Sequence, residues 1–590
     1  MSELVKLKKA TSLQDLSLML GFKPSALSYL LYKKPKGELY RTFEIRKKTG
    51  GLRVISAPCP ELKLLQSNLA RLLQKCVNEI QEARVAISPK KIQKHSSLSH
   101  GFKPGFSILT NAKSHRKKRV VLNVDLEDFF GSIHFGRVRG FFLSNRDFNL
   151  SPKVATVISQ IVCHNNSLPQ GSPCSPIVSN LIAHILDIRL AKLAFENKCS
   201  YSRYADDITF STNQEKLPEC IAKCMCEESH VWIAGESLSK IIKGSWFSIN
   251  SKKTRVQYRD SRQEVTGLVV NSKLNIKAEY HRTAKSMAHS LFQTGSFTVL
   301  KRNESNELER CDGTINQIIG IFSFIYWVNK YNRELPIGIP QDDPPPPKIE
   351  DLKSIERTHR KLLYYTYFFA NEIPTIVCEG KTDNAYLKAA IQSLAHNYPS
   401  LVEVDKDSNK LLKVKLLKYS KQIRYLLALT GGTGDLEKLI SNHPKECSSF
   451  QARAGTKPVI LVIDNDSGAS GIYNRLHKFL KLPKKPDGSE EFYYYGNNLY
   501  VVPTPLAADG GQTMIEDLFD PVLLQTIVNN KTFNPDEKAS SLLHYGKSKF
   551  VENVVIPNKS TIDFSGFAKL LDTISKILAN HALLVSQSKP

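Results

Sequence analysis

The chain has 590 residues, with 82 lysines and arginines against 56 aspartates and glutamates, a formal net charge of +26. That length allows roughly three to four domains, and that charge favours a polyanionic partner such as nucleic acid. The charged start, Met1 to Lys6, is not a secretory signal, and the apolar stretch Ile318 to Val328 is too short to span a bilayer, so a cytoplasmic protein without a membrane partner is expected, its eleven cysteines reduced.

The basic excess is uneven: residues 1–350 hold 52 basic and 31 acidic side chains, residues 351–590 hold 30 and 25. The phosphate-binding surface is therefore expected in the first half, with clusters at Arg46-Lys47-Lys48, Lys90-Lys91 to Lys94 and Arg116-Lys117-Lys118-Arg119. Along the chain, Gly50-Gly51 predicts a hairpin turn that carries Arg53. Val120 to Val124 is a β-rich apolar run that ends in Asp125, and Phe129 and Phe130 follow. Leu168-Pro169-Gln170-Gly171 is a turn that leads into a helix-like stretch from Ile177 to Leu190. Tyr204-Ala205-Asp206-Asp207, followed by Ile208-Thr209-Phe210, reads as a β-hairpin with two acids at its tip. Adjacent carboxylates repel unless a cation lies between them. Hard oxygen ligands of this kind suit Mg²⁺, and a third acid from elsewhere completes a two-metal phosphoryl-transfer site. Cys220, Cys224 and Cys226 lack the second pair of a zinc site; on a helix Cys220 and Cys224 would share a packed face.

In order and spacing these stretches resemble the reverse transcriptases, over residues 15–290 or so. The resemblance implies that Asp125, Asp206 and Asp207 hold two Mg²⁺ ions. It places Phe130 at the steric gate that excludes a 2′-hydroxyl, with a core aromatic as the alternative. It puts Gln170 and Gly171 in the nucleotide pocket and makes Arg53 a clamp for the triphosphate through its fork of donors, with a surface salt bridge as the alternative; it brings Lys253 of Asn250-Ser251-Lys252-Lys253 near the phosphates, with a solvated lysine as the alternative. Two further stretches resemble bacterial retrons: Asn111-Ala112-Lys113-Ser114-His115, an NAxxH pattern, and Val265-Thr266-Gly267, a VTG pattern that could also be a strand with a glycine bulge. A retron enzyme implies a cognate structured noncoding RNA, 2′-hydroxyl priming, dNTPs and a branched RNA–DNA product that stays bound. Asn111, His115, Arg116, Lys117, Lys118 and Arg119 are then candidate RNA contacts. The rivals are an intron-type mobility enzyme and a non-catalytic RNA-binding scaffold.

The expected organisation is fingers and palm over 1–277, with an antiparallel palm sheet, and a helical thumb over 278–338. A Pro-rich linker and one bridging helix, Lys353 to Phe369, span 339–371. In the second half, Ile373 to Cys378 and Pro458 to Ile463 read as buried strands that end in Glu379-Gly380 and Asp464-Asn465-Asp466. Acids at the ends of strands that alternate with helices suggest a doubly wound, Rossmann-like parallel sheet. The Glu-Gly and Asp-x-Asp pattern resembles TOPRIM domains, and Asp383, four residues after Glu379, resembles those of OLD-type nucleases. The resemblance implies one or two Mg²⁺ ions on Glu379, Asp383, Asp464, Asp466 and Glu516, with Glu379 also catalytic. That domain would cover 372–520, with a mostly helical extension over 521–590; a primase-like unit is the alternative. Gly431 to Asp435 lacks the lysine of a P-loop and reads as a structural turn. For a retron with an attached effector, the resemblance implies antiphage defence of a toxin–antitoxin kind.

Overall fold

A computed structural model of the protein describes residues 2–47, 50–87, 98–226, 231–303, 307–334, 345–536 and 542–587. Lys48, the 90–94 cluster and most of the Pro-rich tract lie outside the described residues. The chain forms two compact units: Met1–Lys277 with Val328–Leu335, and Ala278–Trp327 with Pro336–Pro590.

In the first unit, β1 (Tyr40–Arg46) and β2 (Leu52–Pro58) pair antiparallel, with Arg46 opposite Leu52. Gly50 and Gly51 take φ of +89° and +79°, a backbone that glycine adopts without steric cost. The long helix α1 (Pro60–Ile87) buries Leu62, Leu65, Leu69, Leu72, Leu73 and Cys76 along one stripe at helical spacing. β3 (Val120–Glu127) is the centre of the second sheet. One edge pairs antiparallel with β5 (Asp207–Thr212), which pairs in turn with β4 (Ser200–Tyr204). The other edge carries two short antiparallel strands in succession, β6 (Ser248–Ile249) and β7 (Arg255–Tyr258). Helix α2 (Ser175–Glu196) buries Ala183, Leu186, Leu190 and Leu193, and one acid, Asp187, on the same stripe.

Cys220 and Cys224 share no helix. Ala222–Cys226 is a strand paired with Val231–Ala234, because β-branched and aromatic residues on the return stretch favour a pleated partner. The Thr266-Gly267 pair, at φ of +47° and +81°, is the two-residue turn of a hairpin in which Val265 faces Leu268, rather than a bulge in one strand.

In the second unit, helix Ala278–Thr294 and the part of helix Ile315–Glu334 that ends at Trp327 flank a hairpin, Thr298–Arg302 with Leu308–Asp312, that the apolar pattern does not announce. The first helix packs with residues much later in the chain. The Phe292 ring lies 5.7 Å from that of Tyr365 and 5.5 Å from that of Phe450, and its carbonyl accepts from Gln451 and Ala452. The bridging segment is an α-helix, Ser354–Tyr364, that continues as one π turn, Tyr365–Phe369.

The main sheet of this unit has five strands: β8 (Thr375–Cys378), β9 (Lys415–Leu416), β10 (Val459–Ile463), β11 (Tyr493–Gly496) and β12 (Leu499–Pro503). The spatial order is β9-β8-β10-β12-β11. Four strands run parallel and the edge strand β11 is antiparallel. β8 and β10 are buried at every residue, as strands covered on both faces must be. Among the described residues no helix is long and apolar enough to cross a membrane.

Candidate active sites

The first site is built on β3 and the β4–β5 hairpin. Asp125 stands directly opposite Asp207 in the antiparallel register, so the two side chains leave the same face. Asp206 sits in the two-residue tip between Tyr204 and Asp207, and its carbonyl accepts from Leu126 N–H at 3.0 Å, which ties the tip to β3. Ala205 takes φ of +56°, an uncommon backbone for a residue with a side chain. The tip is held from beneath by Gly101: a Cβ there would lie 2.6 Å from the Ala205 nitrogen, so only glycine fits.

Charges crowd this face. Partial dehydration first, then the charge of Asp125, raises the Asp206 pKa; Lys253 and Arg53 oppose the rise. Asp207 reaches the surface, yet dehydration and then the charges of Asp206 and Asp125 raise it to about 6. Lys253 Nζ bonds Asp125 Oδ2 at 2.9 Å, and Asn250 Nδ2 donates to its other oxygen at 3.2 Å. Among the described residues no three such ligands are close enough to form a ready-made metal cage. Mg²⁺ does not require one, since it is bound through one or two carboxylates, waters and substrate phosphates. Three mutually repelling carboxylates answered by one lysine are a donor set that fits it.

The remaining expected residues fall around this face. The main chain of Gln170 accepts from Ser56 N–H of β2 at 2.8 Å, and a Cβ on Gly171 would meet the Ser56 carbonyl at 2.8 Å. The Pro-Gln-Gly turn is thereby sewn to the strand that carries the exposed Arg53. Phe130 is half-buried, with its ring 6.1 Å from Phe102 and 5.4 Å from the buried Phe129.

Asn111 and His115 do not face a ligand, which corrects their reading as RNA contacts. Both are fully buried. Ser202 Oγ donates to Asn111 Oδ1 at 2.7 Å, and His115 joins Ser202 through Nε2 and Ser211 through Nδ1, each at 2.7 Å. Burial pushes the imidazole down to about 3, so it is neutral and ties Ile108–Lys113 to β4 and β5. The turn residue Thr266 donates to the Ile108 carbonyl at 3.3 Å, so the VTG stretch is tied to the helix that carries Asn111. Arg116 to Arg119 lead into β3, the central strand; Lys118 is half-buried and Arg119 is half of an exposed ion pair with Glu215.

The residue that sequence reasoning missed is Arg203. It is wholly buried and forks onto Asp187 at 2.7 and 2.8 Å, while its remaining arm donates to the Ala205 carbonyl at 2.9 Å. Tyr201 also donates to Asp187, at 2.7 Å. The signal was Asp187 itself, an acid on the apolar stripe of α2, which requires a buried partner.

The second site lies at the carboxyl ends of β8 and β10, where ligands of open parallel sheets bind. Glu379 accepts from Thr433 Oγ1 at 2.6 Å and from Asp464 N–H at 3.3 Å, while its own carbonyl accepts from Gly432 N–H. The Gly431-Gly432 turn, at φ of +101° and +107°, thus delivers Thr433 to Glu379. Burial, then Asp383 and Glu379, raises Asp464 to about 8. Burial also raises Glu379 and Glu516. Asp383 accepts from Gly380 N–H at 2.5 Å and from Thr382, and Asp466 accepts from Gly468 N–H at 2.8 Å. Glu516 is 1% exposed, with one oxygen 2.9 Å from Lys547 Nζ and the other without a hydrogen-bond partner among the described residues. Lys547, another residue the sequence reading passed over, also feels Asp464 and Asp383.

Residues 45–273 match the family described as "Reverse transcriptase (RNA-dependent DNA polymerase)". The chain is 32% identical over 300 residues to the retron Mx65 reverse transcriptase of Myxococcus xanthus, covering 47% of this chain and 62% of that one. It is 31% identical over 316 residues to the retron Ec86 reverse transcriptase of Escherichia coli, covering 53% of this chain and 85% of the relative. A solved telomerase from Candida albicans, bound to a fragment of telomeric RNA, overlaps 57% of this chain and 60% of its own at 10% identity; with a TM-score of 0.29, no argument rests on it. On the breadth of the match to retron enzymes, and above all its span of the Escherichia coli relative, the chain belongs to the retron reverse transcriptases.

Proposed function

We propose that the first site is an RNA-directed DNA polymerase centre that copies a cognate structured noncoding RNA from dNTPs. The observation that carries this is the convergence of Asp125, Asp206 and Asp207 on one face, answered by Lys253. Two Mg²⁺ ions on these acids would activate the priming hydroxyl and stabilise the leaving pyrophosphate. Lys253 pairs with Asp125 and stands where phosphates enter. Arg53, whose charge is felt at Asp206, grips the triphosphate with two parallel donors. Phe130 stands against the sugar, and the Gln170-Gly171 turn lines the pocket. Within this reading, synthesis starts from a 2′-hydroxyl of the RNA, and the branched RNA–DNA product stays bound.

The second half then acts as a TOPRIM nuclease in antiphage defence, restrained by that product. In support, five acids gather at the strand ends of a mostly parallel sheet, with Lys547 beside them. Mg²⁺ on Glu379, Asp383, Asp464, Asp466 and Glu516 would relieve their mutual repulsion, with Asp383 and Asp466 each also bonded to a backbone N–H of its own turn.

The test is to express the gene with its natural upstream flank, purify the protein, and digest the bound nucleic acid with RNase or DNase. A discrete DNA whose mobility shifts after RNase treatment, lost in the Asp206→Asn/Asp207→Asn variant, is the expected result. Polymerase activity on an added primed template without any bound hybrid would favour a mobility enzyme instead.

A further inference from the structure

The turn that follows helix α3 (Glu236–Lys243) presents a tryptophan to solvent. Trp246 is 77% exposed and has φ of +61°. Both features cost stability: an indole in water gives up its burial, and a side chain in the left-handed region crowds its own carbonyl. The surrounding structure fixes this arrangement. Arg137 donates to the carbonyls of Ser132, Ser245 and Trp246 at 2.9–3.0 Å, and its guanidinium stacks 4.4 Å over the Phe247 ring. Arg189 donates to the Gly244 carbonyl at 3.4 Å and to Ser245 Oγ at 3.3 Å. Two arginines from two other helices thus clamp one turn, while the side chain it displays touches little. Strain that the surroundings over-determine is found where a protein has a use for it.

The location narrows that use. Ser248, two residues on, pairs with Glu127, itself two residues past Asp125, so the turn lies beyond the active-site end of β3. Lys240 and Lys243 on the last turn of α3 are exposed, and Arg189 is exposed beside them. An exposed aromatic ring with exposed cations on the adjoining helices is the chemistry that holds single-stranded nucleic acid, with a base on the ring and phosphates on the lysines.

We propose that Trp246 is a stacking platform for an unpaired base of single-stranded RNA, with Lys240 and Lys243 taking the adjacent phosphates. The inference rests on the polymerase reading only for the origin of that strand.

The test uses the full chain and a fluorescein-labelled, unstructured 12-nucleotide RNA, titrated without Mg²⁺. Trp246→Ala is expected to weaken binding about tenfold, and Trp246→Phe to recover most of it. Trp246→Gly relieves the left-handed backbone, so it is expected to melt no lower than the native protein while binding as weakly as Trp246→Ala. That combination separates loss of the ring from loss of the fold. Unchanged affinity in Trp246→Ala and Trp246→Gly, or a loss seen only with a DNA probe of the same sequence, would overturn the proposal. Extension of a pre-annealed primer by the native protein is measured in parallel. Its absence would sink the polymerase reading while leaving the Trp246 result to stand or fall by itself.

Discussion

Arg203 and Asp187 meet wholly out of water, two hydrogen bonds to two oxygens, and the free arm of the same guanidinium holds the carbonyl of Ala205 in the catalytic tip. The ion pair is therefore a bracket for the two acids that follow. Asp187→Asn leaves a buried arginine uncompensated and is expected to cost about 3–5 kcal/mol. Arg203→Lys keeps the charge but loses the fork, and should cut DNA synthesis even where the protein still folds. Denaturant unfolding and primer extension on both variants check this; full activity in Arg203→Lys would mean that the tip does not depend on the fork.

Phe130→Ala should relax the choice of sugar. Its ring is half-buried and backed by Phe129 and Phe102, and in the proposed polymerase reading it crowds a 2′-hydroxyl. The ratio of dNTP to NTP incorporation is expected to fall by at least tenfold with little change in melting temperature. An unaltered ratio would make Phe130 a packing residue.

Glu379→Ala should leave DNA synthesis intact while removing any nuclease activity or toxicity. Glu379 lies in the second unit, bonded to Thr433 and Asp464. Loss of primer extension in this variant would show that the two chemistries are not separable.

Acid should weaken the first unit through His115. Its folded pKa, about 3, lies well below the ordinary histidine value, because burial disfavours the charged ring. The unfolded chain therefore takes up the proton first. The stability tied to the neutral ring is complete above about pH 6.5 and is lost as pH falls towards 3, at about 1.4 kcal/mol per pH unit. His115→Gln should be less stable at pH 7, yet its unfolding free energy should fall less steeply between pH 6.5 and 4. Parallel curves for the two proteins would show that the imidazole is not held neutral.

Much of the polymerase half was legible because its chemistry is local in sequence. The Gly50-Gly51 turn, the acid that ends β3 and the hairpin tip are each written in a few adjacent residues. What escaped was set by distant partners. Arg203 reads as a strand residue until Asp187, sixteen positions earlier, is brought against it. Asn111 and His115 look like polar contact residues in an otherwise basic stretch, and only burial against Ser202 and Ser211 shows that they are internal. Glu379, Asp464 and Asp466 were readable from buried strands that end in acids, but Thr433 and Lys547 were not, since loops far along the chain deliver them.

The aromatic contacts of Phe292 also bear on how this protein can be divided. The proline tract around residues 340–347 looks like a seam, and a fragment ending there would keep every polymerase motif. It would also strip Tyr365 and Phe450 from Phe292, and His359 from Phe322, leaving fully buried rings facing water. Such a fragment should be sticky and short-lived. To isolate one chemistry from the other, silencing point mutations in the intact chain are a better tool than truncation.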